Sequence, residues 1–226
     1  MIDLSQIEAV TFDCYGTLID WETGILEAVR WAFPSVSRPA GEILAIYSEI
    51  EPGFQAGAYR TYRTVLREVL AEFGRRFGHA PLNPNALADS LPDWTPFSDT
   101  VSTLKWLRRR FKLGVISNID DHLFAATAKT LEVPFDVTVT AEQVRSYKPS
   151  LRNFETALAR LALAPNRVLH VAESLFHDIA PARELGVSNI WVRRKSKGRS
   201  GASRAVEVEA DPTVGSLAQL VEMLKG

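Results

Sequence analysis

Residues 10–18, Val10-Thr11-Phe12-Asp13-Cys14-Tyr15-Gly16-Thr17-Leu18, read as a short strand that ends in a carboxylate and a tight turn. Val10-Thr11-Phe12 is β-branched and aromatic on successive positions, the pattern of a strand covered on both faces in a parallel sheet. Four further runs repeat it: Leu113-Gly114-Val115-Ile116, then residues 135–139, 168–172 and 189–192. Helical periods lie between them. Leu104, Leu107 and Phe111 precede the second run, and Phe154, Ala157, Leu158 and Leu161 form an i, i+3, i+4, i+7 stripe before the fourth. Asp99 is placed to cap the first of these helices, and Gly186 to stop the one over residues 180–185. Strand–helix alternation of this kind predicts a doubly wound α/β fold with a mostly parallel sheet.

The stretch after the first strand departs from the alternation. Tyr62, Val65, Leu66, Val69, Leu70, Phe73 and Phe77 make a long helical stripe. Ile25, Val29 and Phe33 make a shorter one, and residues 43–50 a third helical period. Pro81, Pro84, Pro92 and Pro96 then punctuate the return. A segment of roughly 75 residues far exceeds one α/β crossover. The expectation is an α/β core from 1–19 and 95–226, with a helical cap, 20–94, inserted into it.

The whole chain has 226 residues, 46% hydrophobic and 23% charged, as in an ordinary soluble globular protein. Twenty-six Lys+Arg against 27 Asp+Glu leave a net charge of −1, so neither nucleic acid nor an anionic membrane is the expected partner. Cys14 is the single cysteine, which excludes an intramolecular disulfide and a multi-cysteine metal site and fits a reducing compartment. Residues 1–6 lack a basic start before an apolar run, and no stretch approaches the roughly 20 apolar residues of a membrane span. A cytoplasmic protein is the expectation. The basic segment 193–199 reads as a solvated loop, or alternatively as a rim attracting an anionic substrate.

In open α/β sheets ligands bind outside the carboxyl ends of the strands. The first run ends in Asp13, the second in Ser117-Asn118 and the fourth in Glu173-Ser174, with Asp178 five residues after Glu173. Lys148 follows the third. An ionised Asp13 beside an apolar run needs hydrogen bonds or a cation, and Lys148 is the natural partner. A held carboxylate with an open side suits nucleophilic catalysis. The nucleotide-binding, zinc-protease and serine-hydrolase signatures are absent, and His170, inside a strand run, reads as a core residue.

Phe12 to Leu18, Ile116-Ser117-Asn118, Tyr147-Lys148-Pro149 and Val171-Ala172-Glu173-Ser174 through Asp178 together resemble the four ordered motifs of the haloacid dehalogenase superfamily. The resemblance covers essentially the whole chain, helical cap included. The superfamily's phosphatases carry a second aspartate two residues after the nucleophile, where this chain has Tyr15. The Asp-x-Tyr-Gly-Thr pattern instead resembles the type II 2-haloacid dehalogenases. Halide leaves without a proton, whereas an alkoxide benefits from a general acid.

The resemblance implies that Asp13 attacks C2 of a small 2-substituted carboxylic acid, forming an ester that water hydrolyses, with no cofactor. Lys148 would hold Asp13 ionised, Thr17 would bond within its turn, and Asp178 would position Lys148 or activate the water. Glu173 would join the catalytic group. Tyr15, Ser117, Asn118 and Ser174 would bind substrate and leaving group. The dehalogenases' cap arginine is missing, since Tyr47-Ser48-Glu49 stand near its place, and Arg60 or Arg63 are the candidates to replace it. Phe154 replaces their tyrosine after motif three, and Glu173 and Leu175 replace a serine and an asparagine in motif four. That fourth motif resembles a subgroup including an azetidine-2-carboxylate hydrolase, whose nitrogen leaving group would want an acid such as His177 or Glu173.

A magnesium phosphatase using Asp13, Glu173 and Asp178 as oxygen ligands is the alternative enzyme. A non-catalytic binding module is the third reading, and the intact Asp13, Lys148 and Asp178 set argues against it. Trp21, Phe33, Tyr47, Phe54 and Tyr59 are candidates to line the pocket, and the resemblance also implies a homodimer.

Overall fold

The chain enters the sheet through strand β1, Ala9–Phe12, whose four residues are all buried. The computed structural model describes residues 4–194 and 212–225. Five further strands complete the sheet: β2 Lys112–Ser117, β3 Val137–Thr140, β4 Val168–Ala172, β5 Ser188–Val192 and β6 Thr213–Val214. Their order is β3-β2-β1-β4-β5-β6, and every neighbouring pair is parallel. This is a doubly wound sheet, and its order reverses direction between β1 and β4, where such sheets bind ligands. Phe12 pairs with Val115 on one side and Val171 on the other, so the ends of β1, β2 and β4 lie side by side.

The chain then leaves the sheet through helices α1 Trp21–Ala32, α2 Ala40–Gln55, α3 Tyr62–Phe77 and α4 Ala86–Ser90 before α5, Thr100–Leu107, leads into β2. The α3 stripe packs as its spacing predicts: Val65, Leu66, Val69, Leu70 and Phe73 are buried. α1 also packs close to the chain leading back to the sheet, because Gly24 leaves room for the Trp94 ring, where a Cβ would meet the ring at 2.3 Å. Helices α6 Asp121–Thr130, α7 Ala141–Val144, α8 Leu151–Leu161, α9 Ala180–Glu184 and α10 Leu217–Lys225 complete the layers on the sheet. No described helix is long and apolar enough to cross a membrane.

Four local expectations change. Asp99 precedes α5, yet its side chain makes no cap bond there. Oδ2 instead accepts from the backbone of Leu217 at 2.7 Å, so it caps the distant α10, and it also pairs with Arg194 at 3.0 Å. Arg194 is therefore no solvated loop residue: it donates to Thr17 O at 2.8 Å and packs over Phe97. Residues 195–199 of the basic segment lie outside the described residues. Phe111 falls beyond the end of α5, and β3 begins at Val137, two residues later than its apolar run. Gly186 occupies the left-handed region, φ 71°, just past α9.

Candidate active site

Asp13 leaves β1 with its backbone still tied to the sheet, donating to Val171 O at 3.2 Å. The turn that follows folds on Cys14, whose carbonyl accepts from the amides of Thr17, Leu18 and Ile19. Gly16 permits it by taking φ 99°, a conformation that side chains disfavour. The turn returns the Thr17 hydroxyl to Asp13 Oδ2, to which it donates at 2.7 Å, while Thr17 Oγ1 itself accepts from Glu173 N–H at 2.9 Å. One carboxylate oxygen is thereby fixed by its own turn and, through Thr17, by the end of β4.

Lys148 fixes the other oxygen. Asn118, just after β2, clamps its backbone in both directions, accepting from Lys148 N–H at 2.6 Å and donating to Lys148 O at 3.2 Å. The buried ammonium then donates to Asp13 Oδ1 at 2.8 Å, Asp178 Oδ1 at 2.6 Å and Ile116 O at 2.8 Å. Those three bonds use all its protons. His170 Nε2 lies 3.1 Å from the same Asp178 oxygen, and its Nδ1 lies 2.9 Å from Thr11 Oγ1. Asp178 Oδ1 is crowded with partners, while Asp178 Oδ2 and Ser117 Oγ are buried with none among the described residues.

One ammonium between two buried carboxylates divides them electrostatically. Burial lowers the Lys148 pKa, but Asp13 and Asp178 outweigh that and raise it, so the ammonium stays charged. Burial also raises Asp178, yet Lys148 and His170 more than offset it and hold that carboxyl below its usual value. At Asp13 burial wins over Lys148 and Thr17, and its pKa is raised. Asp13 is the oxygen-rich group closer to neutrality, and the less tightly held as an anion.

These groups open onto a cavity of about 70 Å³. At 10–15 Å³ for each water this is room for on the order of five waters, suited to a small acid. Asp13, Tyr15, Ser117, Asn118, Lys148, Glu173, Ser174 and Asp178 all border it. Some are committed elsewhere. The Asn118 amide is spent on the Lys148 backbone, and Ser174 Oγ caps the π-helical turn Leu175–Ile179 by accepting from His177 N–H at 3.0 Å. Tyr15 bonds Thr127 Oγ1 at 2.7 Å, and burial pushes its phenol well up, so it is no acid at neutral pH.

Arg60 does not reach the cavity. Its guanidinium pairs with Glu68 at 2.6 Å and donates to Phe54 O. Arg63 pairs with Asp89 at 2.8 Å, and Glu49 with Arg76. Neither arginine lies on the cavity lining. Of the expected aromatics Trp21 borders the cavity, while Phe33, Tyr47, Phe54 and Tyr59 lie outside its lining. Three contributors escape sequence reasoning: Tyr62 and Glu51 on the lining, and His170 behind Asp178. Glu51 did leave a signal, a charged residue on the helix face shared by Ile43, Tyr47 and Ile50.

A family model for haloacid dehalogenase-like hydrolases matches residues 7–186. The (S)-2-haloacid dehalogenase of Pseudomonas sp. (strain YL) is 28% identical over 201 residues, 84% of this chain and 84% of that protein. The glyceraldehyde 3-phosphate phosphatase of Methanothermobacter thermautotrophicus is 30% identical over 210 residues, covering 83% and 86%. Among solved structures, L-2-haloacid dehalogenase from Xanthobacter autotrophicus superposes with a TM-score of 0.83 at 23% identity, over 97% of this chain and 99% of that one. The Asp13 turn, a clamped lysine and a family model spanning most of the chain agree: this protein belongs to the haloacid dehalogenase-like hydrolases.

Proposed function

We propose that the protein hydrolyses small 2-substituted carboxylic acids by displacing a leaving group, halide foremost, from C2 through an ester on Asp13. The observation that carries this reading is the Asp13 carboxylate held from both sides, by Thr17 and Lys148, at the edge of a small cavity. Holding both oxygens removes the reorganisation that a free carboxylate would need before attack. Tyr15 offers no proton where a phosphatase of this family has its acid, which fits a leaving group that departs as an anion.

The remaining roles follow from the unused polar atoms. Ser117 Oγ, with no partner among the described residues, donates to the substrate carboxylate. Asp178 Oδ2, equally free, takes a proton from the water that attacks the Asp13 ester carbonyl. Lys148 and His170 both crowd Oδ1 and so leave Oδ2 as the basic oxygen. Glu173 borders the cavity and ties β4 to the nucleophile turn through its amide. Two structural neighbours support this reading: an L-2-haloacid dehalogenase from Xanthobacter autotrophicus with chloropropionic acid covalently bound, and a defluorinating L-2-haloacid dehalogenase.

The charge arrangement supports a reaction without magnesium over the phosphatase alternative. Lys148 places its ammonium against an oxygen of both Asp13 and Asp178, and among the described residues no three His, Cys, Asp or Glu side chains stand together as a metal cluster. The test is chloride release from racemic 2-chloropropionate in excess EDTA. Release that stops at half the substrate supports metal-free, stereoselective displacement. No release, with phosphate ester hydrolysis restored by magnesium, contradicts it.

A further inference from the structure

Glu51 lines the same cavity as Asp13 but comes from α2, in the helical segment. It is 8% exposed, and Tyr62 is the one partner besides burial that moves its titration, with no cation among the causes. Both of its hydrogen bonds fall on Oε1, from the Gln55 amide and from the Tyr62 hydroxyl at 3.2 Å. Among the described residues Oε2 has no hydrogen-bond partner. The groups around it are phenols: Tyr47 on its own helix, Tyr62 on α3 and Tyr147 beside Lys148, all pushed up by burial. The other ionisable groups on the cavity are Asp13, Tyr15, Glu173, Asp178, His177 and Lys148. The lysine is already spent on Asp13, Asp178 and a backbone carbonyl. A desolvated carboxyl without a cation is held in its neutral, proton-donating form, and burial pushes Glu51 up to about 7.

A halide has no use for a donated proton, whereas an oxygen leaving as alkoxide does. We propose that Glu51 is the proton donor on the leaving-group side and gives this site a second activity, the hydrolytic opening of small strained cyclic ethers with the ring oxygen on C2 of a carboxylic acid. The simplest is oxirane-2-carboxylate. This rests on Asp13 as the nucleophile. Asp13 Oδ forms the bond to C2 while the C2–O ring bond breaks. Its electron pair stays on the ring oxygen, which takes the proton from Glu51 Oε2. Water then adds to the ester carbonyl of Asp13. One of its protons goes to the C2 oxygen and the other returns to Glu51, leaving a dihydroxy acid and both carboxyls in their starting forms. The leaving oxygen stays tethered to the product, which suits a cavity this small.

The experiment measures kcat on oxirane-2-carboxylate and on 2-chloropropionate for the wild type, Glu51→Gln and Glu51→Asp between pH 5 and 9. Acid-quenched samples are checked by mass for the Asp13 ester. General acid catalysis contributes on the order of 10²–10⁴-fold. Glu51→Gln should therefore lower the ratio of oxirane opening to chloride release by about 10²-fold or more, with Glu51→Asp recovering part of it. Wild-type opening should fall as the pH rises through about 7, and Glu51→Gln should lack that limb. A ratio unchanged within about threefold, or an enzyme that releases chloride but leaves the oxirane intact, overturns the inference and spares the nucleophile. Absence of any Asp13 ester with either substrate overturns the nucleophile reading, and the inference with it.

Discussion

Asp13, Lys148 and Asp178 act as one charged unit, so changing any of them has consequences beyond its own side chain. Asp13→Asn removes the carboxylate proposed to attack C2 but keeps its shape. Turnover should fall by about 10³-fold or more with the fold retained, as read by activity, circular dichroism and a mass that excludes deamidation. Lys148→Met leaves two carboxylates buried without their cation. Breaking a buried pair costs about 3–5 kcal/mol, which urea denaturation will register, and a loss below about 1 kcal/mol contradicts the geometry. The nucleophile must be ionised to attack, and burial raises the Asp13 pKa. Activity should therefore fall as the pH drops, through a limb raised from the ordinary aspartate value, in a pH profile of kcat/KM. These residues were legible in the sequence because each ends or follows an apolar run. His170 was legible only as a core residue. Its bond to Asp178 joins two positions on and after the same strand, through a contact that periodicity does not encode.

At the scale of elements, α2 carries a carboxyl on its buried face, and this should be visible in stability. Glu51 has its folded pKa raised from 4.5 to about 7, so folding favours the protonated form. Its contribution is fully present below about pH 4.5 and is lost as the pH rises through about 7, amounting to about 3 kcal/mol. Urea midpoints of wild type and Glu51→Gln at pH 5 and 8.5 test this: the variant should gain relative stability at the higher pH, and an equal difference at both contradicts it. The helical segment is also tied to the sheet by Asp120, whose carboxylate accepts from the backbone of Tyr62 at 2.7 Å and of Arg63 at 2.9 Å, capping α3 from the loop after β2. Asp120→Ala should cost about 1–2 kcal/mol by the usual value of a cap, read in the same denaturation assay. Long-range caps are where sequence reading fails most. Asp99 stands in the ordinary capping position of α5 and instead caps α10, a choice made by tertiary packing.

Across the whole molecule the sheet order brings the ends of β1, β2 and β4 together, and the inserted helices supply Trp21, Glu51 and Tyr62 to the same cavity. Five strands and the helical insertion were legible because buried parallel strands and amphipathic helices differ so plainly in period. β6 was not, since two residues carry no period, and neither was the diversion of Arg60 to Glu68, which depends on how α3 lies against the chain before it. The central claim concerns which atom attacks carbon. A single turnover of 2-chloropropionate by excess enzyme in H₂¹⁸O, followed by mass analysis of the peptide containing Asp13 and of the hydroxy acid, tests it most directly. One ¹⁸O in Asp13 and none in the product is the predicted result, because water attacks the ester carbonyl. Label in the hydroxy acid with Asp13 unlabelled would show that water attacks C2 itself, and would contradict the account.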